Sequence, residues 1–513
     1  MTTNKYQLSD YIKDLDEADI PYQLVGKSNN FTVDQVAYDS RKVTDNTLFL
    51  CKGNHFKREF LLDAINLGAK AYLADRDMDV DIPGIIVDDV RAAIPYFARR
   101  FHNFPQDNLK FIGITGTKGK STTSVALYQI LKADAEKKGS APVGIISSII
   151  NHDGKEEIVT GMTTPEPLEL FGILEACVNN GVETVIMEAS SQALKYHRID
   201  GVNFTYAAFL NISEDHVSAV EHPSFEDYFH SKLRLFDRAQ HGIVNLDSDY
   251  LDELLAYATD RVSVTTFSLG KEADYVASSI VSSREGTKFT VTYPNQVEHA
   301  FSTNLIGDFN VENLTMAITL ADQLGIDAAT IQEGLAKIDA PGRMHFYTSE
   351  DKQITFMVDF AHNFLSADAL FKQVKKAMPD HKQIVVTGSV GSKAVNRRQG
   401  LGEAAGRHAD FVVLTSDNPD GEKVEDINRQ IASYIEAYNC PWTEVIDRPQ
   451  AIRTAYDKAR EYLVEGNRSV IFLLGRGLED DNKIDGVIYF MPVDSDVAQG
   501  LIDEYEQELA ERE

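Results

Sequence analysis

The stretch Gly113-Ile114-Thr115-Gly116-Thr117-Lys118-Gly119-Lys120-Ser121 follows an apolar strand that begins at Leu109 and precedes a helix-like run over residues 122–133. Strand, glycine-rich turn and helix form the context of a phosphate-binding loop. Glycines let backbone N–H groups close around phosphate oxygens, and the helix N-terminus adds positive potential. Lys120 supplies a point charge, and the Ser121 hydroxyl is suited to a magnesium ion. The spacing departs from the general G-x-x-x-x-G-K-[ST] pattern, because Ile114 stands where that pattern demands glycine; the glycines fall at 113, 116 and 119 instead. Gly116, Thr117, Lys118, Gly119, Lys120 and Ser121 are the expected nucleotide contacts. ATP is the default nucleotide, GTP is not excluded by the loop alone, and the bland alternative is an ordinary glycine-rich turn.

Working outward, short apolar strands at 143–149, 184–187, 207–211 and 242–245 alternate with helical segments, which implies a mostly parallel sheet. Residues 275–305 switch to polar/apolar alternation, as in Thr287-Lys288-Phe289-Thr290-Val291-Thr292, the pattern of antiparallel strands. A helix-like segment follows at 310–324. Toward the N-terminus, a strand at 47–51 and a helix at 60–68 precede the breaker His102-Asn103-Phe104-Pro105. Beyond the turn Asp339-Ala340-Pro341-Gly342, strands at 354–358, 383–387, 411–415 and 470–474 begin another αβ series. The expected fold is α/β with three domains: a small N-terminal αβ domain (1–105), a central phosphate-loop domain (106–340) and a C-terminal Rossmann-like domain (341–513). The glutamate-rich last dozen residues are predicted to be a solvated helix end.

The 513 residues carry a net charge of −29, so the overall field repels polyanions and argues against a general nucleic-acid binder. Any phosphate site is therefore built locally. Cys51, Cys177 and Cys440 are far apart and lack metal-ligand spacing. Acidic residues Asp10, Asp14, Asp16, Glu17 and Asp19 leave no apolar run for a signal peptide, and no later stretch is long and apolar enough to span a membrane. The expectation is a cytoplasmic, monomeric protein without membrane insertion.

Hard cations prefer oxygen ligands, and Glu188 closes the 184–187 strand, while His216 follows the 207–211 strand in Asn211-Ile212-Ser213-Glu214-Asp215-His216. Both can face one crevice outside the strand ends. Together with the modified loop, the stretches Met162-Thr163-Thr164-Pro165-Glu166, Met187-Glu188-Ala189-Ser190-Ser191-Gln192 and Glu221-His222-Pro223-Ser224-Phe225-Glu226-Asp227-Tyr228-Phe229 carry a resemblance. Over nearly its whole length the chain resembles the Mur ligase family, ATP-dependent amino-acid ligases of peptidoglycan precursor synthesis, and these stretches resemble the L-lysine-adding branch.

The resemblance implies magnesium held by Ser121, Glu188, His216 and Lys232, the last as a carbamate, with Lys120, Lys232, His216 and Glu188 as the catalytic set. It places Thr163, Thr164, Ser190 and Arg198 on the nucleotide-sugar substrate, Ser40 of Asp39-Ser40-Arg41 on its uridine, and Asn310, with Asn313 as a further candidate, near adenine. Arg343, Asp359 and His362 match positions near the ATP phosphates and ribose. Arg398, Asp417, Asn418, Asp420 and Glu479 match positions around the incoming amino acid. Gly475-Arg476-Gly477-Leu478-Glu479 departs from the family's Gly-Lys-Gly-His-Glu at Arg476 and Leu478.

In ligases that add diaminopimelate, the position of Asp420 holds an arginine, which pairs with that substrate's second carboxylate. An acid there repels a distal carboxylate and attracts a distal ammonium. The implied reaction joins L-lysine to UDP-N-acetylmuramoyl-L-alanyl-D-glutamate through an acyl phosphate, using ATP and Mg2+. The alternatives are the same reaction with L-ornithine or meso-diaminopimelate, a folylpolyglutamate-type ligase of the same architecture, or a catalytically silent nucleotide-binding regulator.

Overall fold

The computed structural model describes residues 5–27, 30–53, 56–159, 162–213, 221–283, 285–338, 342, 344–391 and 395–511. His216, Arg343 and residues 339–341 of the second predicted boundary lie outside the described residues. The chain divides into two compact units, one formed by the described residues of 1–217, 221–276 and 313–334, the other by those of 277–312 and 335–513.

The first unit holds two sheets. The N-terminal one has five strands in the order Tyr22–Val25, Gly84–Val87, Ala69–Ala74, Thr47–Leu50, Gln35–Ala37, all parallel except the first. In the second sheet, parallel strands run in the order Ser263–Leu269, Ala239–Asn245, Phe204–Phe209, Lys110–Thr115, Thr184–Glu188, Val143–Ile146. Three of them, Lys110–Thr115, Thr184–Glu188 and Val143–Ile146, are largely buried and mostly apolar, as strands covered on both faces must be. Lys110–Thr115 sits between Thr184–Glu188 and Phe204–Phe209, with Ile114 opposite Glu188 and Thr115 opposite Phe209. The chain order reverses around this strand, so the loops after all three open on one crevice, the usual ligand position in such sheets. No side chain fits at Gly113, where a Cβ would lie 2.7 Å from the Phe204 ring.

In the second unit, Gly286–Thr292 pairs antiparallel with Glu298–Thr303. A six-stranded sheet follows in the order His345–Thr348, Ile354–Asp359, Arg468–Leu474, His381–Thr387, Phe411–Leu414, Trp442–Glu444, parallel except at its first strand. A hairpin, Asp481–Ile484 with Val487–Phe490, stands apart from that sheet.

The predicted strands at 184–187, 242–245, 354–358, 383–387 and 470–474 all form, with ends displaced by a few residues. The C-terminal helix Asp494–Ala510 is not simply solvated. Ile502 and Tyr505 are buried in an apolar cluster with Ile354, Phe356 and Tyr456, while Asp503 and Gln507 between and beyond them are exposed. Its first residue, Asp494, forms a two-pronged ion pair with Arg448 at 2.7 and 2.6 Å, with both side chains almost fully buried. Arg448 also donates to the Leu474 carbonyl at 2.9 Å, so one guanidinium ties two helices to the central strand. Replacing one partner leaves a buried charge uncompensated, which typically costs about 3–5 kcal/mol. Arg448→Met is therefore expected to lower the urea midpoint steeply, and Arg448→Met/Asp494→Leu to recover most of that loss; equal losses in the two variants would contradict the pairing.

Candidate active site

The phosphate loop is held in shape by its neighbours. Gly119 has φ +85°, and a Cβ there would lie 1.9 Å from Asn313 Oδ1, so only glycine fits the turn into the Lys120–Lys138 helix. Thr117 N–H donates to the Asn211 carbonyl and Lys118 N–H to Asn211 Oδ1, both at 2.9 Å. Thr117 Oγ1 accepts from Ser213 N–H at 3.0 Å and from the Tyr228 hydroxyl at 3.2 Å. Residues just after the Phe204–Phe209 strand and on the Phe225–Leu233 helix thus brace the loop.

Two ammonium groups converge on it. Lys120 Nζ donates to the Gly116 carbonyl at 3.0 Å, and Lys232 Nζ donates to the same oxygen at 2.8 Å. Lys232 is 1 % exposed and also lies 4.7 Å from the Tyr228 ring. Such a concentration of positive charge at the head of a helix fits the polyanionic tail of a nucleotide.

Beside it, Glu188 is fully buried; it accepts from Ser121 Oγ at 3.2 Å and from Ser148 N–H at 3.0 Å. The Ser121 hydroxyl and Glu188 carboxylate are hard oxygen donors within reach of one another, which suits a divalent cation. Among the described residues no group of three or more His, Cys, Asp or Glu side chains is placed to hold a metal. The predicted ligand His216 is outside them.

Thr164 continues the line away from the loop. Its hydroxyl donates to the Glu188 carbonyl at 2.7 Å and accepts from Ser190 N–H at 3.2 Å, and Ser190 caps the Ser191–Lys195 helix. Arg198 Nη1 donates to the Thr164 carbonyl at 3.3 Å, and Thr163 is half-buried next to it. Ser40 begins the turn Ser40–Lys42, whose first N–H groups are capped by Asp39. The first unit therefore brings Lys120, Lys232, Ser121, Glu188, Thr164, Ser190 and Arg198 into one contact chain.

Sequence reading missed His222, although it lies in a quoted stretch. It is fully buried between Asp227 at 2.6 Å and Ser191 at 3.0 Å, and burial pulls its pKa below the usual range. It fastens the helix of Tyr228 and Lys232 to the helix capped by Ser190.

In the second unit, Asn310 Nδ2 donates to the Ile306 carbonyl at 2.9 Å, and Asp359 accepts from Met344 N–H at 2.8 Å and Ala361 N–H at 2.7 Å. His362 Nδ1 lies 2.7 Å from the Phe360 carbonyl. Arg398 is buried and bound in two-pronged fashion by Glu422 at 2.9 and 3.0 Å, with Gln430 at 2.9 Å.

Asp417, Asn418, Asp420 and Glu479 do come together. Arg476 pairs with Asp417 at 3.3 Å, and Asn418 Nδ2 donates to Glu479 at 3.3 Å. The hairpin, absent from the sequence reading, is laced to this loop: Asn418 N–H donates to Asn482 Oδ1 and Asp420 N–H to the Lys483 carbonyl, both at 2.8 Å. Lys483 Nζ sits 3.2 Å from the Asp420 carboxylate. That pair is exposed, and such pairs contribute only about 0–1 kcal/mol.

Residues 114–321 match the Mur ligase middle domain, and residues 342–477 match the Mur ligase glutamate ligase domain. The UDP-N-acetylmuramoyl-L-alanyl-D-glutamate--L-lysine ligase of Streptococcus pneumoniae is 35 % identical over 471 residues, covering 91 % of this chain and 93 % of its own. The chain belongs to the Mur ligase family. The UDP-N-acetylmuramyl-tripeptide synthetase of Ligilactobacillus salivarius is 33 % identical, covering 96 % and 98 % of the two chains. A solved UDP-N-acetylmuramoyl-L-alanyl-D-glutamate--2,6-diaminopimelate ligase is 26 % identical and superposes with a TM-score of 0.63, covering 93 % and 96 %. This Mur ligase is accordingly an ATP-dependent, amide-forming enzyme of peptidoglycan precursor synthesis.

Glu479 of this Mur ligase has its pKa pushed up to about 7, first by burial and then by the charge of Asp417, against the opposing pull of Arg476. A carboxyl raised from 4.5 binds more protons folded than unfolded across that window, so it makes stability fall as pH rises toward 7. Glu479→Gln lacks this contribution. Urea midpoints should shift in the variant's favour between pH 5 and pH 8, and a pH-independent difference would contradict the raised pKa.

Proposed function

We propose that this Mur ligase joins L-lysine to the γ-carboxylate of UDP-N-acetylmuramoyl-L-alanyl-D-glutamate, with one ATP consumed per amide formed. The observation that carries the reading is the convergence of Lys120 and Lys232 on the Gly116 carbonyl beside the Ser121–Glu188 pair. The names and coverage of the pneumococcal and Ligilactobacillus relatives support the substrate.

A carboxylate oxygen of the sugar-peptide attacks the γ-phosphorus of ATP, and ADP leaves. The lysine α-amine then attacks the acyl carbon, and phosphate leaves with the oxygen that had bridged carbon and phosphorus. Lys120 holds the transferring group, where most catalysis is positioning and charge stabilisation. Thr164, Ser190 and Arg198 orient the sugar-peptide, with Thr163 adjacent and Ser40 at the uridine end. Magnesium, when bound, would neutralise phosphate charge; Ser121 and Glu188 would hold it with His216, and Lys232, once carbamylated, would change from the loop's second cation into a further anionic ligand. Asn310, Arg343, Asp359 and His362 are assigned to the rest of the nucleotide on the resemblance.

On the amino-acid side, Asp417, Asn418 and Glu479 take the α-amino end. Asp420 takes the distal ammonium in exchange for Lys483, and Arg398 shapes the pocket wall through Glu422. The proposed division is 1–105 for uridine, 106–340 for ATP and 341–513 for the amino acid. The cytoplasm is the compartment where ATP and nucleotide sugars reside.

The test is mass spectrometry of products after incubation with ATP, magnesium, UDP-N-acetylmuramoyl-L-alanyl-D-glutamate and equal L-lysine, L-ornithine and meso-diaminopimelate. A dominant lysine adduct is expected. A diaminopimelate adduct would overturn the role of Asp420, and the absence of any adduct would overturn the ligase reading.

A further inference from the structure

Lys52 lies just past the Thr47–Leu50 strand of the N-terminal sheet, and its ammonium pairs with Glu166 Oε2. The other oxygen of the same carboxylate faces Arg198 Nε at 3.1 Å. The three side chains are only 17 %, 18 % and 13 % exposed, so two cations share one acid where little water reaches. Together they carry one net positive charge. Arg91, stacked 4.3 Å from the Tyr196 ring, adds a third cation acting on Lys52. Burial pulls the Lys52 ammonium below its usual range, while the Glu166 carboxylate pulls it back up. Excess buried charge is costly unless something neutralises it, and an arriving anion does so.

The position of the cluster indicates which anion. On one side, Lys52 Nζ lies 5.0 Å from the Tyr38 ring, two residues before Ser40, the proposed uridine contact. On the other side, Arg198 reaches Thr164 and through it Glu188, the end where the γ-carboxylate is phosphorylated. A UDP-sugar-peptide carries its diphosphate between its uridine and its peptide, so the cation midway along this line meets the diphosphate. Lysine suits that task as a point charge with three donors.

We propose that Lys52 is a substrate-binding residue that takes the diphosphate of the UDP-sugar, while Glu166 holds Lys52 and Arg198 in position beforehand. The assignment rests on the proposed function and deepens it. Titration calorimetry of the full chain with UDP, without ATP or amino acid, isolates the diphosphate from the substrate's carboxylates. Lys52→Met is expected to weaken UDP binding by about tenfold or more, and Arg198→Met, which removes the excess charge but not the contact, to weaken it by less. Lys52→Gln, which keeps a donor for Glu166 but no charge, should lose as much as Lys52→Met, and Lys52→Arg should recover most of the loss. The KM for UDP-N-acetylmuramoyl-L-alanyl-D-glutamate should rise with the UDP dissociation constant, and the KM for ATP should stay unchanged.

UDP binding unaltered in Lys52→Gln, or a fall in melting temperature with every KM raised together, would make Lys52 a structural strut and overturn the proposal. Wild-type protein that binds UDP but forms no amide would contradict the proposed function and leave Lys52 assigned.

Discussion

Two ammonium groups pointing at one carbonyl oxygen are the constraint around which the central region is arranged. Lys120 comes from the first turn of its helix and Lys232 from a helix more than a hundred residues later, and both reach Gly116. Like charges so close repel, and a position with 1 % exposure gives Lys232 little water to soften that repulsion. The arrangement persists because backbone oxygens solvate both groups and the surrounding strands fix the loop. Carbamylation of Lys232, as proposed, would turn that repulsion into attraction.

The brace around the loop explains how binding and chemistry share one framework. Tyr228 touches Thr117 with its hydroxyl and Lys232 with its ring, while His222 ties the same helix to the segment capped by Ser190. The groups proposed for the nucleotide and those proposed for the sugar-peptide are therefore mounted on helices fastened to each other by buried hydrogen bonds. Such bonds are costly to leave unmade, which keeps the reacting groups in register.

Much of this was legible in the sequence, for identifiable reasons. The Gly119-Lys120-Ser121 turn, the strand ending in Glu188 and the short apolar strands of both parallel sheets announce themselves through local pattern. The pairings that give the site its character do not. Lys52 and Glu166 are 114 residues apart, and Arg448 and Asp494 are 46 apart, so no local period joins them. The hairpin at 481–490 escaped because its second strand exposes Val487, Ile488, Tyr489 and Phe490 instead of alternating. That hairpin sets Lys483 beside Asp420, so the reversed charge seen in the sequence is half of an exposed ion pair. Roles for His216 and Arg343 rest on the family resemblance.

In the proposed mechanism ATP activates the γ-carboxylate before the amine attacks. Labelling both oxygens of that carboxylate with 18O and following the inorganic phosphate by mass spectrometry tests it directly. One labelled oxygen in each phosphate released is the predicted result, because the bridging oxygen leaves with phosphorus. Unlabelled phosphate accompanying amide formation would contradict the account.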